Sequence, residues 1–203
     1  MAKTEKLDLH KQHKNEYITP KNPTLVEIGP VPYLAIEGRG EPGGEEFTAK
    51  VGAMYAAAFT IKMTRKFAGL GDYKVCHLEG LWWTDRTGSI WRQPRDQWRW
   101  KLFIRVPAFI IADDLKKAKR TLLDKGKGPE TQQVKLETIK EGQCVQMLHV
   151  GPYSAESETV DAMRRFAEEN GLAFHGLHHE IYLSDPRRVP ADRLRTILRQ
   201  PVK

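Results

Sequence analysis

Two short phrases hold the residues best suited to chemistry. In LHHEIYLSD, the alternation of a strand sets His178, Glu180 and Tyr182 on one face, and His179, Ile181 and Leu183 on the other. In CHLEGLWW, His77, Glu79, Leu81 and Trp83 share a face, opposite Leu78, Gly80 and Trp82. A glutamate inside an apolar strand is costly unless it is paired, hydrated or facing a cation. Glu180 shares its face with an imidazole and a phenol, which makes it the stronger candidate for a ligand carboxylate. Glu79 is the second candidate, against the plainer alternatives of a solvent-facing residue or an ion pair with an arginine.

All five tryptophans, Trp82, Trp83, Trp91, Trp98 and Trp100, fall within residues 82–100. Core packing accounts for some of them, but Trp91, in the loop RTGSIWRQP, is the hardest to assign to a core. Aromatic walls around a carboxylate grip flat, apolar and often cationic molecules by stacking and cation–π attraction. Glu180, Tyr182, Trp82, Trp83, Trp98, Trp100, Glu79 and the helical Tyr55 form the expected ligand-binding set.

Other chemistries find less support. His175, His178 and His179 are close in sequence, but adjacent strand residues point to opposite faces, and the spacing fits no closed zinc site. No metal and no cofactor are expected. The chain has no GxSxG, Walker loop or GxGxxG after a strand, and no Cys/His pair placed for nucleophilic attack. The glycine-rich GRGEPGG lacks the phosphate-loop lysine and reads as a turn.

A formal charge of +7 would suit a nucleic-acid partner, but the basic residues are dispersed. No helix-turn-helix, zinc-finger or RRM pattern gives them a docking geometry, so a solvated basic surface is expected. No apolar run approaches the ~20 residues needed to cross a bilayer. The N-terminus lacks the apolar stretch of a secretory signal. Cys76 and Cys144 are too few for a disulfide framework, and buried free thiols in the cytoplasm are the natural reading.

Positioning these side chains requires strands and helices in a repeating order. Residues 1–22 read as a polar arm ending at Pro20 and Pro23. Leu25 to Ile36 is a strand whose prolines predict an edge or a bulge. Residues 45–67 show helical periodicity, with Phe47, Val51, Met54, Tyr55, Ala58 and Ile61 at three- and four-residue steps. Two strands follow, at 73–83 and 98–106, joined by a loop containing Asp85, Gly88 and Pro94. Asp113 or Asp114 caps a second helix. Then come strands QVKLETI and QCVQMLHV around a KEG turn, a helix over about 154–170, and strands HHEIYLSD and LRTILRQPV.

The halves echo one another: VGAMYAAAF matches VDAMRRFAE, and HLEGLWW matches HHEIYLS, bringing Glu79 and Glu180 to equivalent places. The expected fold is α+β, a duplicated β-α-β-β unit (about 24–110 and 130–203) with pseudo-twofold symmetry and mostly antiparallel strands. Helices pack on the sheets, and a ligand groove lies at the seam.

The phrases GDYKVCHLEGLWW, EGQCVQMLHVGPY and HHEIYLSDPRRVPADRLRTILRQPVK resemble the stand-alone GyrI-like proteins, over about 23–203. The resemblance implies kinship with effector domains of multidrug-sensing regulators, in which an acidic residue matched by Glu180 sits among aromatics. Some stand-alone members are hydrolases that open the cyclopropane ring of DNA-alkylating compounds. The first expectation is therefore cytoplasmic capture of hydrophobic, planar or cationic small molecules. The second is such a hydrolase, with Glu180 as catalytic base assisting water. The third is a protein partner, as inhibitor of a DNA-handling enzyme.

Overall fold

The structure is a computed structural model that describes residues 6–85 and 90–203; the expected turn residue Gly88 and the first residues of the arm lie outside the described residues. The elements in chain order are α1 (Leu9–Gln12), β1 (Thr24–Arg39), α2 (Glu45–Phe67), β2 (Leu78–Trp83), β3 (Arg99–Arg105), α3 (Ala112–Asp124), α4 (Glu130–Gln133), β4 (Lys135–Val150), α5 (Glu156–Glu169), β5 (His178–Tyr182) and β6 (Arg195–Pro201). The fold is α+β. Its strands form a closed barrel in the order β1-β3-β2-β5-β6-β4, and every ladder between them is antiparallel. The order is palindromic. Each half supplies a long strand, a helix and two short strands, and the halves meet where β2 pairs with β5 and β1 with β4.

Helix α2 forms where the periodicity predicts. Ala53, Met54, Ala57, Ala58 and Ile61 are buried, and the small alanines let the helix approach the sheet closely. Glu45 and Glu46 in its first turn and Arg65 and Lys66 in its last complement the helix dipole. In α3, the Asp114 carboxylate accepts from Ile111 N at 3.0 Å, so Asp114 caps from inside the first turn. Helix α5 buries Val160, Met163 and Ala167 on the second half of the barrel.

Three apolar clusters result. One lies under α2 and α3 and includes Trp82, Trp98, Trp100 and Leu102; another lies under α5 around Val145, Met163 and Leu198. The half-buried Trp91 packs against both, so the loop tryptophan bridges the halves. On the sheet face turned away from the helices sit Val31, Tyr33, Phe103 and Cys144.

Three expectations change in the structure. β1 is not an edge strand, because closure pairs it with both β3 and β4. Its prolines are tolerated because Pro30 and Pro32 precede the β1–β3 ladder, which starts at Tyr33. The KEG turn is no hairpin: β4 runs unbroken through it, with Gly142 at φ 72° inside the strand. A glycine takes positive φ without a steric penalty inside a strand as well as in a turn, and the β1–β4 register is the same on both sides of Gly142. Finally, Gly80 pairs with Glu180 and Glu79 with Ile181. Directly paired residues share a face, so Glu79 and Glu180 point to opposite sides, and the sequence match was off by one.

Among the described residues the arm packs on the barrel. Leu7 bridges Tyr73, Gln146 Nε2 donates to Ile18 O at 2.8 Å, and Arg105 Nη1 meets Glu16 Oε2 at 2.6 Å. Among the described residues no helix is long and apolar enough to cross a membrane.

Candidate ligand site

β5 presents His178, Glu180 and Tyr182 to the helix side of the sheet, as alternation requires. Across the ladders stand Trp82, Gly80, Leu198 and Thr196. Gly80 lets two side chains close over the strand: a Cβ there would lie 3.0 Å from Trp82 Nε1 and 3.2 Å from the Tyr182 hydroxyl. The space lets Trp82 Nε1 donate to the Tyr182 hydroxyl at 3.0 Å. Tyr153 packs edge-on to Tyr182 at 5.8 Å. Trp91 stands edge-on to His178 at 5.4 Å and to Trp98 at 5.8 Å, and Trp98 in turn meets Trp82.

The first residue of α5, Glu156, completes the site. It is only 1% exposed, and Glu180 only 4%. Neither Glu156 oxygen has a hydrogen-bond partner, nor does either His178 nitrogen or the Thr196 hydroxyl. His178 Nε2 lies 3.4 Å from Glu180 Oε1. One donor atom from each of Glu156, His178 and Glu180 falls within 4.8 Å of the others. Burial, reinforced by the Glu180 charge, holds the Glu156 carboxyl well above the usual carboxylate range. Burial and the same charge push Tyr153 up to about 12 and Tyr182 higher than an ordinary tyrosine. Among the described residues no Lys or Arg pairs with Glu156 or Glu180, so the site is acidic and walled by aromatics.

Glu79 belongs to a different assembly. Fully buried, it accepts from Tyr17 at 3.1 Å and Tyr33 at 3.2 Å, and meets His179 Nε2 at 3.1 Å. His179 Nδ1 contacts Glu141 at 3.0 Å, and Arg199 donates to Glu141 at 3.0 Å and to Gln146 at 2.8 Å. Burial would lower His179, but the two carboxylates outweigh it and push it up to about 9. Burial raises Glu141, yet His179 and Arg199 hold it down at about 2. Every polar group here is answered by a protein partner, the pattern of a structural network.

Of the residues anticipated for ligand binding, Glu180, Tyr182, Trp82 and Trp98 come together, with Trp91 added. Trp83 points to the other face of β2, opposite Arg99. Trp100 is wholly buried against Phe47, over Gly38, where a Cβ would fall 2.1 Å from its ring. Tyr55 is half-buried on α2, stacked on Phe59 at 6.3 Å. Glu156 was not anticipated. An acidic residue in a first helical turn reads as a partner of the helix dipole, and Glu158 nearby shares that reading.

Beside the site, a depression of about 350 Å³ is lined by Arg95, Pro152, Tyr153, Pro186, Val189 and Leu194, and Tyr153 is common to both. A second one of about 590 Å³, lined by Arg39, Glu46, Asp85, Asp96 and Arg99, is charged and lacks aromatics.

Residues 21–203 match the family model of the GyrI-like small molecule binding domain. No curated protein matches the chain. An uncharacterized conserved protein from Listeria innocua is 38% identical with a TM-score of 0.91, over 98% of this chain and 100% of that one. A hydrolase from Listeria innocua is also 38% identical, with a TM-score of 0.88 over 98% of this chain and 100% of that one. The C-terminal domain of EcmrR shares the fold, with a TM-score of 0.55 at 13% identity over 90% of this chain and 97% of that one. The chain belongs to the family of GyrI-like small-molecule-binding domains.

Proposed function

We propose that the site around Glu180 captures flat, hydrophobic cations, a xenobiotic-binding role in the cytoplasm. The observation that carries this reading is the buried pair Glu156 and Glu180, with no Lys or Arg partner among the described residues, inside a ring of Trp82, Trp91, Trp98, Tyr153 and Tyr182. A cationic aromatic would supply the missing charge and stack on the rings, whereas a neutral one gains the stacking alone. The free, buried thiols of Cys76 and Cys144 suit a reducing compartment. Titration with ethidium and with neutral phenanthridine, followed by tryptophan quenching, tests it. Glu180→Gln should weaken ethidium at least tenfold and phenanthridine far less. Equal loss for both, or none for ethidium, overturns the reading.

A second reading, hydrolysis, is favoured by the 38% identity to the Listeria hydrolase and by the carboxyl pair. On a cyclopropane conjugated to a carbonyl, Glu180 would take a proton from water as the water oxygen bonds to the ring methylene. The ring C–C bond breaks, and its electron pair moves to the carbonyl, whose oxygen takes the proton held by Glu156. Proton transfer from Glu180 to Glu156 then restores both groups, and the net change is addition of water. Mass spectrometry of the recovered ligand separates capture from turnover.

A further inference from the structure

We propose that Glu156, His178 and Glu180 form a binding site for one divalent first-row transition ion, of the zinc class. Two carboxylates and one imidazole are a common donor set for such ions and leave a fourth position open. The residues sit on fixed elements: His178 and Glu180 two apart on one face of β5, Glu156 at the start of α5. Ligand atoms each about 2.0–2.1 Å from a tetrahedral ion stand about 3.4 Å apart. His178 Nε2 and Glu180 Oε1 are separated by 3.4 Å. The three ligand atoms all lie within 4.8 Å of one another, so Glu156 closes the site with a small side-chain movement.

Unmet bonding capacity points the same way. His178 is 7% exposed and has no hydrogen bond at either nitrogen; Glu156 has none at either oxygen. The neighbour of His178 on β5, His179, has both nitrogens engaged by carboxylates and has no capacity left for an ion. Thr196, buried and unpartnered across the ladder from Tyr182, supplies a further hydroxyl beside the carboxylates. A dication neutralises the two carboxylates, which no Lys or Arg among the described residues does. The His178 Nδ1 lacks the carboxylate or carbonyl partner that usually fixes a ligating imidazole, so micromolar rather than nanomolar affinity follows.

The inference stands apart from organic-ligand capture and changes what the site would accept: once loaded, it favours oxygen donors over cations. The test is calorimetric titration of the chelator-treated full chain with Zn²⁺ at neutral pH. One ion per chain at micromolar Kd is expected, weakened at least tenfold by Glu156→Gln and by His178→Gln, and unchanged by His175→Gln, an exposed histidine. Should a variant unfold, Co²⁺ on the wild-type chain gives an independent readout, with large contact shifts on the coordinated His178 ring and only the smaller through-space shifts on His175. No binding tighter than millimolar, binding indifferent to both variants, or Co²⁺ shifts that miss His178 would overturn the proposal. Ethidium titration in excess chelator tests capture separately, so either idea can fail alone.

Discussion

Glu156 and Glu180 lie together with no Lys or Arg among the described residues to pair them, whereas Glu79, one strand away, is held by two tyrosines and a histidine. The difference lies in which sheet face each carboxylate occupies, and alternation alone located Glu180 correctly beside His178 and Tyr182. The alternation could not reveal Glu156, because its role depends on α5 packing against β4 and β6. Burial raises the Glu156 carboxyl above the ordinary value of 4.5, so folding favours its protonated form. Stability therefore declines as pH rises above 4.5 toward the raised value, because the unfolded chain ionises first. Glu156→Gln removes that loss. Urea melts should show the variant more stable than wild type at pH 8, with the gap closing toward pH 4.5. An unchanged gap across that range would mean Glu156 is not held neutral.

At the scale of elements, α2, β3, α5, β5 and β6 were legible because each carries a clean period and its own stop signals. β4 was not, since a glycine with positive φ looks the same in sequence whether the chain reverses or runs on. Barrel closure was equally hidden: β1 gains its second partner from a strand about a hundred residues later, and local pattern does not encode long-range pairing. The repeated strand phrases were recognisable, but their pairing register was not, so Glu79 was set on the wrong side. The β1–β3 contact gives a sharp test of this geometry. Gly38 lies under the Trp100 ring, where a Cβ would come within 2.1–2.5 Å of three ring carbons. Gly38→Ala should cost ~1–3 kcal/mol through overpacking, measured by chemical denaturation. A neutral effect would show that Trp100 has room to move.

For the whole molecule, the buried network of Glu79, His179, Glu141 and Arg199 couples the two halves and the arm. Its sign with pH follows from two groups. His179 is raised from 6.5 to about 9, so its contribution is complete below 6.5 and is lost as pH climbs through about 9. Glu141 is lowered from 4.5 to about 2, so its contribution is complete above 4.5 and is lost as pH falls through about 2. In the Glu156→Gln background, thermal midpoints should form a plateau between pH 4.5 and 6.5 and fall on both sides. A midpoint still rising at pH 9 would contradict the charged His179.

Family membership makes the chain a small-molecule-binding domain, and the acidic, aromatic seam between its halves is where binding is proposed. A crystal structure of the ethidium complex tests that most directly. The phenanthridinium is expected between Trp91 and the β2–β5 face, stacked on an aromatic ring, with its charged nitrogen beside the Glu180 carboxylate. Ethidium seated instead in the charged depression of Arg39, Glu46 and Asp96, with Glu180 untouched, would contradict it.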